Sequence, residues 1–265
     1  METLSFDRWS EFRAFIEEER FVVAVYWRGQ RDPRWALASS FERSILRLNG
    51  GWKDEASQLW PYDSRYDRDG SRTWAAGFEH SMRDGYLRRF KEAASGRRGT
   101  HPADLSEDQW WALGRHLGLV TPLLDWTEAP YIAAFFALSE LYERMSAGGG
   151  GLIFNGDQVA IYRLVHNDLL EGDGLRVLKP LADELHRMHG QRGVFTWLDS
   201  EEYFELQGFL DRHERGGLLT KILLSDQVVL AGLKDLDNHG IDHKLLFPDL
   251  DGAARYANRL PVPIF

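Results

Sequence analysis

An arginine that follows a run of apolar residues is the first feature with chemical potential. Residues 21–27 read Phe-Val-Val-Ala-Val-Tyr-Trp, and Arg28, Gly29 and Gln30 come directly after them. The run predicts a buried strand that ends by presenting Arg28. A guanidinium is a planar fork of donors, glycine allows close backbone approach, and Trp27 offers a stacking face, so this segment could clamp an anion. The alternative is a structural arginine paired with a core carboxylate, and the motif alone favours neither.

A carboxylate lies in a comparable setting further along the chain. Asp125 ends a second apolar stretch and is followed by Trp126 and Thr127. In this position it could cap the next helix, pair with Arg28 or act catalytically, and the spacing alone favours the cap. If Asp125 and Arg28 share one site, we expect them to lie within about 15 Å of each other, because an ion pair or a pocket spanned by one ligand would hold them closer.

The elements that must position these residues follow from hydrophobic periodicity and capping signals. Strands are predicted at 21–27, 193–197 and 218–224, with a hairpin formed by 152–154 and 159–164. Helices are predicted at 6–19, from an N-cap at Ser106 to Gly118, from a cap at Thr127 through Pro130 to about Met145, at 180–189, at 201–213, from a cap at Ser225 to about Gly240, and at 252–260. Residues 41–100 are predicted to form helices with a long loop near 61–72. The pattern predicts a single α+β domain over residues 1–265, with helices around a small, mostly antiparallel sheet.

Composition excludes several classes of chemistry. The 265 residues include no cysteine, which rules out disulfides, a thiol nucleophile, thiolate zinc sites and iron–sulfur clusters. A net charge of −9 argues against non-specific binding of duplex DNA by the whole surface. The first residues lack the apolar stretch of a signal peptide, and no apolar run approaches the roughly 20 residues that cross a bilayer. We therefore expect a cytoplasmic protein without a membrane partner.

Signals for a metal site are weak. His186 and His189 are three residues apart on a predicted helix, but no pattern of carboxylates accompanies them. Asp249 and Asp251 precede Gly252 and are predicted to form a turn and a helix cap rather than to bind a metal ion. We expect no metal cofactor.

The blocks around Arg28 and Asp125 resemble the FRG domain, a family of bacteria and phages named for its Phe-Arg-Gly motif. Residues 27–30 read Trp-Arg-Gly-Gln where the family has Phe-Arg-Gly-Gln. Residues 123–127 (Leu-Leu-Asp-Trp-Thr) and Phe136-Ala137 match its second signature. Residues 191–195 and 246–252 are also similar to family blocks. The chain departs from the family pattern at Arg115, where the family usually has Gln, and at Leu117 and Val120.

The order of these motifs is similar to that of ADP-ribosyltransferases. In those enzymes, one strand carries Arg or His beside Gly, a second leads through a Ser/Thr turn into an Ala- and Phe-rich helix, and a third carries Glu or Gln. The resemblance implies NAD as the substrate, cleaved through an oxocarbenium-like state as in glycoside hydrolysis. It also implies a catalytic set and a cofactor-binding set. The catalytic set is Arg28, Asp125, Thr127 and Gln191, and the cofactor-binding set is Trp27, Gly29, Gln30, His116, Trp126 and Phe195.

Each residue has an expected role under this resemblance. Arg28 would hold the pyrophosphate or the nicotinamide ribose, and Asp125 would activate an acceptor or orient Arg28. Thr127 and Gln191 would bond ribose hydroxyls, and Trp126 and Phe195 would form a slot for nicotinamide. Glu201, Glu202 and Glu205 are candidates for a further catalytic carboxylate, although a solvated acidic helix face is the favoured interpretation.

Two classes of function follow. The first is an NAD-using enzyme that transfers ADP-ribose to a protein or RNA acceptor, or hydrolyses NAD, as a toxin effector in anti-phage defence with an antitoxin or defence-system partner. The second is a non-catalytic sensor that recognises a nucleotide or a phage component through the Arg28 pocket. A nuclease-like toxin is disfavoured, because no cluster of metal-binding carboxylates is evident.

Overall fold

Seven strands form one sheet in the computed structural model, which describes residues 1–18, 24–48, 78–97, 104–146, 153–179, 189–198 and 205–258. The strands are β1 (Glu2–Phe6), β2 (Val25–Gln30), β3 (Leu123–Thr127), β4 (Gln158–Val165), β5 (Leu175–Leu178), β6 (Gly193–Leu198) and β7 (Leu219–Ser225). Their order in the sheet is β1-β7-β4-β2-β3-β6-β5. Every neighbouring pair is antiparallel except β1 and β7, which are parallel. The predicted α+β class with a mostly antiparallel sheet is confirmed.

Helices pack on both faces of this sheet. Those in the described ranges are α1 (Trp9–Glu18), α2 (Ser40–Leu48), α3 (Phe78–Ala94), α4 (Glu107–His116), α5 (Pro130–Ser146), α6 (Asp168–Gly172), α7 (Leu206–Arg212), α8 (Val229–Asn238), α9 (His243–Leu246) and α10 (Leu250–Ala257). Within these ranges, no helix combines the length and the apolar character needed to cross a membrane.

Several predicted helix boundaries are confirmed by their caps. The Ser106 hydroxyl accepts from the backbone N–H of Gln109, whose side chain accepts in return from the N–H of Ser106, a capping box that starts α4. Gly118, at φ +89°, follows the end of the same helix. The Asp249 carboxylate caps α10 by accepting from the N–H of Gly252. These local signals therefore define both ends of α4 and the start of α10.

Strand β2 extends further than predicted. Residues 21–23 lie outside the described ranges, but the strand continues past Trp27 to Gln30. Arg28 therefore lies inside the strand, opposite Tyr162 of β4, rather than at its end. The reason is that β4 offers a backbone partner to every residue from Val25 to Gln30.

The predicted hairpin at 152–164 is wrong. Residues 153–155 are not in a strand, and β4 pairs with β2 and β7 instead of with a sequence neighbour. Strand β4 is central and buried from Val159 to Tyr162, which explains its continuous apolar run. The edge strand β1 was not predicted, because most of its residues are polar or exposed and give a weak pattern.

Two predicted caps differ in the structure. Thr127 lies within β3, and its hydroxyl accepts from the N–H of Ala129 just before α5 begins. Ser225 makes no capping hydrogen bond with its side chain, and a 3-10 turn, Asp226–Val228, separates it from α8. The predictions for the loop near 61–72, for most of the helix at 180–189 and for the start of the helix at 201–213 fall outside the described ranges.

Gly29 allows helix α5 to lie directly on β2. A Cβ atom at this position would lie 2.0 Å from the carbonyl oxygen of Ala133 and 3.0 Å from the amide nitrogen of Ala137. Both distances are far shorter than a normal contact, so a side chain is excluded here. The close approach brings the face of α5 that carries Phe136 and Glu140 into the cleft beside Arg28.

Candidate functional site

A gap between β2 and β3 defines the candidate site. The two strands share one bridge, between Trp27 and Thr127, although β2 pairs along its length with β4 and β3 with β6. Beyond this bridge, Nη1 of Arg28 donates to the main-chain carbonyl of Asp125 at 2.7 Å. The guanidinium thus satisfies a carbonyl that would otherwise bond a neighbouring strand.

The carboxylate of Asp125 is held from a second direction by Arg115. Nε of Arg115 donates to Oδ1 at 3.0 Å and Nη2 donates to Oδ2 at 2.5 Å, a bidentate pair. Nη1 of Arg28 lies 3.7 Å from Oδ2. The expectation that Arg28 and Asp125 lie close together is confirmed, and the carboxylate lies between two guanidinium groups.

Charge and burial shape the protonation of this cluster. Burial raises the pKa of Asp125, but Arg115 and Arg28 outweigh it, so the pKa lies below its ordinary value. Burial lowers the pKa of Arg28; Asp125 opposes this effect, while the positive charges of Arg43 and Arg115 add to it. The Arg28 side chain is 18% exposed. Arg28 and Arg115 thus flank the ionised carboxylate of Asp125, and Arg43 adds positive charge that acts on Arg28. These residues, called the Arg28 cluster below, carry an excess of positive charge that suits an anionic ligand.

This cluster opens into a cleft of about 470 Å³. The structure brings most of the predicted site residues to its walls: Trp27, Arg28, Gly29, His116, Asp125, Trp126, Thr127 and Gln191. Gln30 and Phe195 do not line it. Gln30 is buried in β2 opposite Ala160 of β4, and Phe195 is buried with Trp111 and Trp197 beneath α4. Phe195 is therefore not placed to stack on a ligand in this cleft.

Besides Arg28, Arg115 and Asp125, three other lining residues make side-chain hydrogen bonds within the protein. The Thr127 hydroxyl donates to the main-chain carbonyl of Gln191 at 2.7 Å, and Nε2 of Gln191 donates to the carbonyl of Leu246 at 2.9 Å. The indole N–H of Trp126 donates to the Thr196 hydroxyl at 2.8 Å. Thr127 and Gln191 thus connect β3, the turn before β6 and helix α9, and they hold one wall of the cleft together.

Among the lining residues that were not predicted as site residues, four have a charged or aromatic side chain: Arg115, Phe136, Glu140 and Phe247. Arg115 could have been found from the sequence, because it stands where the family usually has Gln. Glu140 lies one helical turn after Phe136, so helical spacing from the Phe136-Ala137 motif would have found it. Burial raises the pKa of Glu140 above its ordinary value, although its side chain is half exposed. Phe247 belongs to the family-like block 246–252, which was the signal for it, although the sequence analysis gave that block no role in the site.

The acidic and histidine candidates have other roles or lie elsewhere. Glu205 caps α7 by accepting from the N–H of Gly208 at 2.6 Å, and it does not line the cleft. Glu201, Glu202 and His186 are outside the described ranges. Across the part of the chain that the structure describes, no three residues of the types His, Cys, Asp and Glu are grouped so that they could hold a metal ion.

A larger cleft of about 810 Å³ lies around the start of β2. Its cations are paired: Lys179 bonds Glu128 at 2.6 Å, Arg192 lies 3.8 Å from the same carboxylate, and Arg13 lies 3.3 Å from Asp235. No excess of guanidinium groups comparable to the Arg28 cluster is found among these residues. We therefore assign the candidate site to the smaller cleft.

The lowered pKa of Asp125 predicts how the stability of the folded protein depends on pH. In the unfolded chain this carboxyl titrates at about 4, above its folded pKa. The stabilisation from its ion pairs is therefore present above about pH 4 and is lost as the pH falls through the folded pKa. We expect the difference in melting temperature between wild type and Asp125→Asn to be larger at about pH 7 than at about pH 2.5. An equal difference at both pH values, measured by circular dichroism, would contradict this assignment.

Comparison with known proteins identifies part of the chain. Residues 23–145 match the model of the FRG domain family. The matched segment begins just before β2 and ends in the last turn of α5, so it includes Arg28, Arg115, Asp125 and Glu140. No curated protein and no solved structure matches the chain. The predicted extent of 1–265 for the domain stays a prediction. The chain therefore contains an FRG domain, which the family model matches at residues 23–145.

Proposed function

We propose that the protein is an ADP-ribosyltransferase-like enzyme that uses NAD, cleaving the bond between nicotinamide and ribose and passing ADP-ribose to a macromolecule or to water. The observation that carries this proposal is the Arg28 cluster, in which the guanidinium groups of Arg28 and Arg115 flank the carboxylate of Asp125 at a cleft. Nε of Arg28 is buried and has no hydrogen-bond partner among the described residues. Arg28 thus retains donors for the pyrophosphate of a dinucleotide.

Aromatic residues near this cluster suit the flat ring of nicotinamide. Phe136 and Phe247 line the cleft, with ring centroids 6.1 Å apart and planes at 90°. We assign to these two rings the stacking role that Phe195 cannot fill from its buried position. Thr127 and Gln191 position the wall that carries Phe247, through the bond from Gln191 to Leu246.

The chemistry needs few groups from the protein. The nicotinamide ring of NAD is cationic, so when the bond from ribose C1′ to the ring nitrogen breaks, the electron pair neutralises the leaving group. Positive charge develops on the ribose, and the ionised Asp125 lies in the same cleft to stabilise it. The guanidinium groups hold the pyrophosphate and thereby orient C1′ for attack.

The test is direct. Purified protein is incubated with NAD, and free nicotinamide is measured by liquid chromatography, with and without a bacterial cell extract that supplies acceptors. We expect release above the spontaneous rate, lost in Arg28→Lys, because an ammonium cannot reproduce the planar fork. Arg8→Lys is the matched control, since Arg8 is 77% exposed and outside the cleft. An active Arg28→Lys variant would count against the assignment of Arg28.

A second function is favoured by one specific observation. Both carboxylate oxygens of Asp125 are held by Arg115, and the amide of Gln191 is bonded to the main chain. A cleft whose polar groups are fixed in this way also suits a binding module that recognises a nucleotide without cleaving it. In that case ADP-ribose binds, as measured by calorimetry, while NAD stays intact during the assay.

A further inference from the structure

Glu140 is the second carboxylate of the cleft, and its surroundings differ from those of Asp125. It lies on α5 one turn after Phe136, and Gly29 lets this helix lie directly on the strand of Arg28. Its side chain is 51% exposed, and Nε of Arg31 lies 3.9 Å from Oε2. No hydrogen bond to the Glu140 carboxylate is made by the residues that the structure describes. It is therefore free to bond a ligand or a water molecule.

The two carboxylates differ in what they can do with a proton. Asp125 accepts two hydrogen bonds from Arg115, and its lowered pKa keeps it ionised. A carboxylate held in this way is a poor base because protonation would break the bidentate pair. Glu140 has no such partner, so it can gain and lose a proton without breaking an ion pair of that kind.

Charged groups on three elements act on Glu140. Burial and the neighbouring Glu143 on α5 raise its pKa. Arg28 on β2, Arg31 just after β2 and Arg255 on α10 lower it, but burial is the largest effect, so the pKa lies above its ordinary value. A raised pKa moves a carboxyl toward the range in which general bases work best.

We propose that Glu140 is the proton-accepting carboxylate of the cleft. The inference rests on the proposed function and names the group that activates the acceptor. As the bond from C1′ to nicotinamide breaks, an oxygen of water or of the acceptor forms a bond to C1′, and the proton on that oxygen passes to Glu140. Nicotinamide leaves as a neutral molecule, and the protonated Glu140 later returns its proton to solvent. Asp125 stays ionised throughout.

The first experiment compares Glu140→Gln with wild type in nicotinamide release between about pH 5 and pH 9. General-base removal typically costs 10²- to 10⁴-fold, so we expect kcat to fall by about 10²-fold or more, with KM within a few-fold. The wild-type rate should fall at acid pH as Glu140 becomes protonated, and this acid limb should be missing in the variant. Glu143→Gln, on the same helix and outside the cleft, is the control. It removes a charge that raises the pKa of Glu140, so it should keep the wild-type kcat at neutral pH and keep the acid limb, with that limb shifted slightly to lower pH.

A second experiment does not require catalysis. Binding of ADP-ribose is measured by calorimetry at about pH 5.5 in two buffers with different ionisation enthalpies. A bound pyrophosphate raises the pKa of a nearby carboxyl, so binding should take up protons in wild type and in Glu143→Gln but not in Glu140→Gln. Melting curves of wild type and both variants check that each protein is folded.

The outcomes separate the two proposals. If wild type releases no nicotinamide but takes up protons through Glu140 on binding ADP-ribose, the proposed enzymatic function is wrong and Glu140 remains the titrating carboxylate of a binding cleft. Either of two results would show that the inference about Glu140 is wrong. The first is an active wild type whose rate and pH profile are matched by Glu140→Gln. The second is equal proton uptake by wild type and Glu140→Gln on binding ADP-ribose. If wild type neither releases nicotinamide nor binds ADP-ribose, both are wrong.

Discussion

Replacing Arg28 by alanine is expected to reduce nicotinamide release by about 10²- to 10³-fold, the range seen when one preorganised donor to a developing charge is removed. The fold should survive the change. Asp125 keeps both hydrogen bonds from Arg115, so the carboxylate is not left unpaired. The direct loss is the bond from Arg28 to the carbonyl of Asp125, which contributes about 1–2 kcal/mol. For a domain of this size, that corresponds to a fall in melting temperature of about 2–8 °C.

Activity and melting temperature must be measured on the same preparation of Arg28→Ala. A variant that is folded and inactive supports a role in the site. A variant that unfolds near room temperature, and regains stability when Arg28→Met is combined with Asp125→Leu, would show that the two residues form a structural pair. Arg8→Ala is the control for the loss of one positive charge, because Arg8 is exposed and does not line the cleft.

The largest loss of stability is expected from Gly29→Ala. The new methyl group would lie 2.0 Å from the carbonyl oxygen of Ala133, so β2 and α5 must separate or tilt. Overpacking of a well-packed core usually costs 1–3 kcal/mol, and because the clash here is with backbone, we expect about 3 kcal/mol or more. The melting temperature should fall by about 6–12 °C.

Gly85→Ala is the matched control for this substitution. Gly85 lies in α3, and a Cβ atom there would have no heavy atom within 4 Å. Because alanine is the better helix former by about 0.5–1 kcal/mol, this control should be neutral or slightly stabilising in urea unfolding. If the free energies of unfolding of Gly29→Ala and Gly85→Ala were equal, β2 and α5 could not be in close contact at Gly29.

The proximity of Arg28 and Asp125 could be predicted because each follows an apolar run that makes a strand. The pairing of strands could not, because β4 joins β2 and β7, which are far from one another in sequence. An apolar run such as 159–162 shows that a strand is buried on both faces, but it does not show which strands flank it.

The limits of sequence reasoning at the site have similar causes. Phe195 is the register partner of Asp125 on the neighbouring strand, so the alternation of side chains along β6 places it on the same face of the sheet as Asp125. Trp111 of α4 covers that part of the sheet, however, and buries Phe195. The contact with α4 depends on helix packing, which the period of a strand does not encode. Arg115 contributes to the site through its ion pair with Asp125, ten residues further along the chain. These ten residues include the end of a helix, a turn and the start of a strand. Because residue types do not determine the direction of the chain through such a turn, the sequence did not predict this pair.

The pairing of β2 has a consequence for when the cleft comes into existence during synthesis. Strand β2 pairs with β3 at one bridge, whereas β4 pairs with it from Val25↔Val165 to Gln30↔Ala160, and β4 also pairs with β7 along its other edge. Contacts between such distant parts of a chain form late in folding. A nascent chain that ends with the matched FRG segment contains Arg28, Arg115 and Asp125 but lacks the strand that holds Arg28 in place. We therefore expect the cleft to form only after β4 and β7 have been synthesised and have emerged from the ribosome.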